Sequence, residues 1–184
     1  MTIPNFHAIL DNTWWYDAAT NGELTFSFVS SDSAKLHHDY STQKIKALDD
    51  IPTQDNIRYV LNDVFSKVIP ITFTEISEVV KPNDDPLSFF PWIPDKKLDV
   101  AGQLRFMFAD KRPTAAAYLP SNHSQQYQPD DIGGDVQFGS SHNFSSDPGT
   151  WDYYAIIHEI GHALGLKHPH DDTPTLPSSE DNLT

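Results

Sequence analysis

Two histidines stand four residues apart in the run His158-Glu159-Ile160-Gly161-His162. On a helix, residues at that spacing project from one face, one turn above the other, so both imidazoles can hold one metal ion. Glu159 lies one step round the helix, out of the tetrahedron but within reach of a water in an open coordination position. A third ligand is still required. Gly165 follows His162 by three residues and permits a sharp turn that swings His168 back to the metal, completing the string HEIGHALGLKH over residues 158–168. A bare HExxH arises by chance in many unrelated helices. With each of five specified residues drawn at about 5%, a chain this long matches the extended string by accident with a probability on the order of 10⁻⁵ to 10⁻⁴, so chance does not account for it.

The chemistry follows from the ligand types. The chain has no cysteine, so a bound zinc must rely on imidazole and oxygen donors. Three neutral imidazoles, His158, His162 and His168, leave one Zn2+ its full charge and an open site, which acidifies water toward a pKa of ~7 and polarises a peptide carbonyl. Glu159 is then the catalytic residue, taking the water's proton and passing it to the leaving amine. No covalent intermediate is implied. Five of the other histidines, His37, His38, His123, His142 and His170, lie in polar, loop-like surroundings without partner spacing and are expected to face solvent.

The elements that must position these residues are read from periodicity. Residues 24–29 alternate large apolar and small polar side chains after the turn signal Asn21-Gly22, as a half-buried strand does. From Thr53, the residues Ile57, Val60, Leu61, Val64, Phe65 and Val68 fall at steps of three and four, predicting a helix over 53–69 that Pro70 ends. Strands are predicted at 71–76, 104–110, 115–119 and 135–138, with an irregular, proline-rich stretch at 81–97. A second long helix is predicted over 151–165, with Thr150 as its N-cap and Gly165 closing it in a left-handed conformation.

Composition bounds the rest. A length of 184 residues suits one domain with a proper core, and 38% apolar and 12% aromatic residues exclude wholesale disorder. Fourteen prolines and a mean hydropathy of -0.47 point to long exposed connections. A formal net charge of -14 argues against a nucleic-acid partner, which needs clustered Lys and Arg. No run approaches the roughly 20 apolar residues of a membrane span, and residues 1–10 lack the pattern of a conventional secretory signal.

The extended string resembles the zinc signature of the metzincin clan of metallopeptidases, and Pro169 directly after the third histidine resembles the serralysin branch. The order of predicted elements is similar to the upper subdomain of that fold. The resemblance implies an α+β catalytic domain: a twisted mixed sheet with a long helix behind it, an active-site helix, and a lower subdomain mostly missing. It divides the chain into an N-terminal segment (1–20), the upper subdomain (21–168) and the start of a lower subdomain (169–184). The clan's methionine turn follows the third histidine, whereas the only methionines here are Met1 and Met107, so a truncated polypeptide is expected. The likeness further implies an exported, monomeric zinc endopeptidase acting on protein or peptide substrates, with residues 115–119 as the edge strand that pairs with an extended peptide. A matrixin-type histidine is absent near Gln137, which implies a single zinc, and Asp131 and Asp135 are candidates for a calcium ion. A second reading is a non-catalytic module that has kept the metal site alone.

Overall fold

The computed structural model describes residues 11, 13–36, 44–85, 90, 95–120 and 131–171. His37, His38, His123 and the tail from residue 172 onward, with most of the expected lower subdomain, lie outside the described residues. In chain order the elements are α1 (Tyr16–Asn21), β1 (Glu23–Phe28), a 3-10 turn (Ser33–Leu36), β2 (Ile45–Lys46), α2 (Ile51–Tyr59), β3 (Thr72–Glu75), β4 (Val79–Pro82), β5 (Lys96–Val100), β6 (Leu104–Ala109), β7 (Ala115–Ala117), β8 (Asp135–Gly139) and α3 (Trp151–Ala163).

The main sheet runs β3-β1-β6-β8-β7, with β2 also paired to β6. The contacts β1–β3, β1–β6 and β6–β8 are parallel, and β7 joins β8 antiparallel at the edge. β6 is covered on both faces, as a central strand of a parallel sheet must be. Leu104 and Phe106 join the principal core with Leu24, Phe26, Val136 and Phe138, against Ile57, Val60 and Leu61 of the α2 rod and Ile156 and Ile160 of α3. Phe138 ties the layers together: its ring stacks over Phe106 at 6.5 Å and meets Phe144 at 4.6 Å. This is the expected α+β architecture, a mixed sheet backed by helices.

The rod behind the sheet departs in detail from the helix expected at 53–69. It starts earlier because Asp50 caps it, accepting the Thr53 N–H at 3.0 Å, with Pro52 in the first turn where its missing N–H costs nothing. Its winding then changes to a π turn at Val60–Val64 and a 3-10 turn at Phe65–Lys67. The segment expected to be irregular at 81–97 overlaps both strands of the hairpin β4–β5, which forms its own two-stranded sheet. Its strands carry Lys81, Lys96, Lys97 and Asp99, so they show no apolar alternation. The antiparallel backbone ladder holds them instead, with the partly exposed pair Lys81–Asp99 at 2.7 Å beside it.

The boundary expected after residue 20 falls inside α1, and the residues before it pack on the domain. Trp15 is buried in the core and its indole N–H donates to the Ala163 carbonyl at 2.8 Å, while the Asp11 N–H donates to the Gly165 carbonyl at 2.9 Å. Gly134 makes room for that indole. At φ +82°, a Cβ there would lie 2.5 Å from the Trp15 ring. No helix among the described residues is long and apolar enough to cross a membrane.

On the other face of β6, Arg105 is buried with Glu78 and Asp135. Its Nε donates to Glu78 Oε1 at 2.8 Å, and Nη1 lies 3.8 Å from Asp135 Oδ2. The hydroxyls of Ser27 and Ser33 also donate to Glu78. Removing the one cation leaves two buried carboxylates without it. Arg105→Met should therefore lower stability by about 3–5 kcal/mol in urea unfolding, with part of the loss recovered when Glu78→Gln is added. An unchanged midpoint for Arg105→Met would show that the network carries no net stability.

Candidate metal site

α3 owes its position to an apolar face and its two ends to local chemistry. Thr150 caps the start, its hydroxyl accepting the Tyr153 N–H at 3.3 Å, and Asp152 places a carboxylate in the first turn where the helix dipole favours it. Tyr153, Ile156, Ile160 and Ala163 face the core. At the other end the Gly165 N–H donates to the His162 carbonyl at 2.9 Å and the Leu166 N–H to the Gly161 carbonyl at 3.0 Å. These paired bonds are the Schellman closure, which needs a left-handed residue between them, and Gly165 supplies it at φ +101°. The chain doubles back, and His168 returns to the helix face carrying His158 and His162.

The three rings converge. Their Nε2 atoms are separated by 3.0 Å (His158–His162), 3.1 Å (His158–His168) and 3.1 Å (His162–His168). The Nδ1 of His162 faces the Leu166 carbonyl at 2.7 Å, and the Nδ1 of His168 faces the Asp171 carboxylate at 2.7 Å. Both partners only accept, so these Nδ1 atoms carry the hydrogens and the Nε2 lone pairs point at one another. Facing lone pairs call for a cation between them. The separations approach the ligand–ligand edge of about 3.4 Å that follows from tetrahedral Zn–N bonds of 2.0–2.1 Å, so the donor set fits zinc. Burial, and then the charges of the other two histidines, push the His158 pKa down, which favours the neutral form a ligand needs.

Glu159 is only 9% exposed. Burial raises its pKa, while the charge of His168, the Ala117 backbone N–H and the charge of Arg112 pull it the other way. Glu159 and the three histidines line a cleft of about 350 Å³ whose opposite wall is β7, with Ala115, Ala116, Ala117 and Leu119. Thr114 and Tyr118 bond to β8, through Gly139 N–H to Thr114 O at 2.6 Å and Tyr118 N–H to Asp135 O at 3.0 Å. By the alternation of an antiparallel ladder, the backbone groups of Ala115 and Ala117 then point away from β8. The edge strand expected at 115–119 is thus present, shortened at its end, and borders the histidine cluster.

Among the described residues, His158, His162 and His168 form a metal-capable group, their ligand atoms within 4.8 Å of one another. Asp131 and Asp135, the candidate calcium carboxylates, form no such group there. Asp131 accepts the Gly133 N–H at 3.1 Å and Asp135 sits beside Arg105. His170 is exposed, as expected. His142 is not: it is half-buried, with Nδ1 3.0 Å from Asp152 and Nε2 against the Pro113 carbonyl, so it ties the approach to β7 to the first turn of α3. Its polar neighbours in sequence concealed those distant partners. Sequence reading also missed Trp15, the Leu166 carbonyl and Asp171. Only Asp171 left a signal, three residues past His168, where a turn can return a carboxylate to the ring.

A mixed sheet with its antiparallel edge strand beside a three-histidine, one-glutamate cleft defines a metzincin-type metallopeptidase domain. The matrixin family model matches residues 15–178, and the chain belongs to that family of zinc metallopeptidases. The clan expected from the zinc string is thereby borne out, while the match does not single out the serralysin branch. Among solved structures, myroilysin is similar with a TM-score of 0.47 and 18% identity, over 91% of this chain. This chain spans 58% of the myroilysin chain.

The closing turn of α3 can be tested directly. A Cβ at Gly165 would meet the Thr13 carbonyl oxygen at 3.0 Å, and φ +101° is itself strained for an L side chain. Gly165→Ala should cost about 1–2 kcal/mol in thermal unfolding of the metal-free chain and weaken zinc binding by displacing His168. Zinc affinity equal to the parent's would show that His168 finds the site without this turn.

Proposed function

We propose that the chain is the catalytic part of a zinc endopeptidase that hydrolyses internal peptide bonds, with His158, His162 and His168 as metal ligands and Glu159 as general base. The observation that carries this reading is the buried Glu159 carboxyl placed between three converging imidazoles and an open strand edge. An extended peptide laid along β7 can bond to the outward backbone groups of Ala115 and to the Ala117 carbonyl, the Ala117 N–H being turned to Glu159, which holds it by main chain alone and leaves any residue free to occupy the cut position. Zinc bound by the histidines supplies the Lewis acidity that polarises the scissile carbonyl and makes water a stronger acid.

Glu159 does the proton work. Its partial burial brings its proton affinity closer to that of the groups it must serve, so it accepts the proton of the attacking water and returns it to the departing amine. Both transfers occur at one carboxyl, and no side-chain nucleophile takes part. The short alanine side chains of β7 leave the edge accessible to a second backbone.

Glu159→Gln should keep zinc, because this carboxylate is not a ligand, and lose at least about 10²-fold in cleavage of a disordered protein, because an amide cannot accept the proton. His162→Ala should lose zinc and cleavage together. Metal content by atomic absorption and fragment masses of the digested substrate check both, internal cuts marking an endopeptidase. If Glu159→Gln cleaves as fast as the parent, the base lies elsewhere. A parent that holds zinc yet leaves every substrate whole would fit the metal-holding module instead.

A further inference from the structure

The three histidines are supported unequally. His162 donates from Nδ1 to a backbone carbonyl, that of Leu166, inside the Schellman closure. His158 lies on the helix with Tyr154 against its ring, centroids 5.8 Å apart. His168 stands beyond the helix and its side chain is 50% exposed, so neither helical geometry nor burial holds its ring. What contacts the far side of that ring is Asp171, whose Oδ2 receives the Nδ1 hydrogen at 2.7 Å.

Asp171 is itself held by the turn that it closes. Its N–H donates to the His168 carbonyl at 3.1 Å, and its own carbonyl accepts from the Lys167 ammonium. The carboxylate therefore reaches the ring from a backbone anchored to the same histidine.

We propose that Asp171 is the positioning residue of the metal site: it locks His168 in the Nδ1–H tautomer, aims Nε2 at the point shared with His158 and His162, and strengthens that nitrogen as a donor. The assignment rests on the three-histidine reading above. A carboxylate behind a ligating imidazole fixes ring orientation and raises ligand basicity, and losing one typically costs 10–100-fold in metal affinity. The effect should be largest here, at the one ligand that secondary structure leaves loose.

The test uses the full chain and zinc alone. Affinity is measured by competition with a chromogenic chelator for the parent, Asp171→Asn, Asp171→Ala, Asp171→Glu and His162→Ala. Asp171→Ala should bind zinc about 10–100-fold more weakly. Asp171→Asn, which keeps an acceptor without the charge, should fall between it and the parent, and Asp171→Glu should recover part of the loss. Thermal unfolding of the metal-free chains should stay unchanged, because the pair is exposed. The d–d bands of the cobalt-loaded chain should shift in Asp171→Ala, a change of ligand field that a merely structural turn residue would not produce. Zinc affinity and cobalt bands identical to the parent's in Asp171→Ala, with His162→Ala losing zinc, would overturn the role of Asp171 alone. Undiminished zinc affinity in His162→Ala would overturn the three-histidine reading beneath it.

Discussion

Three imidazole nitrogens stand 3.0 to 3.1 Å apart around one point, and a chain brings them there only if its own scaffold aims each ring. The scaffold does so with backbone geometry. The helical repeat sets His158 above His162, and the Schellman closure at Gly165 turns the chain back so that His168 meets them. Each part of that closure is pinned from outside. Trp15 occupies the Ala163 carbonyl, and Asp11 occupies the Gly165 carbonyl, so the C-terminal acceptors of α3 are satisfied by residues about 150 positions earlier. The N-terminal stretch thus acts on the site without touching the three histidines.

The sheet contributes direction. With β1, β3, β6 and β8 parallel and β7 reversed, the edge next to α3 presents backbone groups along the cleft, while the core of Phe26, Phe106 and Phe138 fixes the distance between helix and sheet. His142 adds a second tie, joining Asp152 in the first turn of α3 to Pro113 just ahead of β7. The two walls of the cleft are therefore linked at the mouth as well as through the core. Rigid elements on both sides suit a site that must place a carboxyl, a metal and a backbone edge within a few ångströms of one another.

Local rules are broken at the candidate site. Glu159 is buried with its pKa raised, which costs stability whenever it ionises, and the proposed base role is one that a carboxyl of higher proton affinity would serve. Arg105, Glu78 and Asp135 break the same rule on the opposite face of the sheet, far from any proton transfer. Their mutual pairing and the two serine hydroxyls on Glu78 offset part of that burial, and the network joins β6 and β8 to the segment just before β4. The two exceptions differ in whether partners or an open cleft surround the charge.

By itself, the sequence determined the elements whose signals are local. The spacing of His158, Glu159, His162, Gly165 and His168 is contained within 11 consecutive residues, and the helix and turn that use it follow from backbone rules acting over one or two turns. The same holds for β1, β3 and β6, whose period-two patterns place them to within a residue or two, and for β7 and β8, which Pro120 and the Gly133-Gly134 turn bound. Tertiary structure alone decided what depends on distant partners. Trp15 reads as an N-terminal aromatic until α3 offers a carbonyl, and Arg105 reads as the polar member of an alternating strand until Glu78 and Asp135 close over it. The hairpin β4–β5 was illegible because backbone bonds between its charged strands hold it and apolar alternation does not. The physical reason is common to all three: hydrophobic periodicity records which face is buried, whereas a hydrogen bond or ion pair between remote residues leaves no periodic trace in either segment.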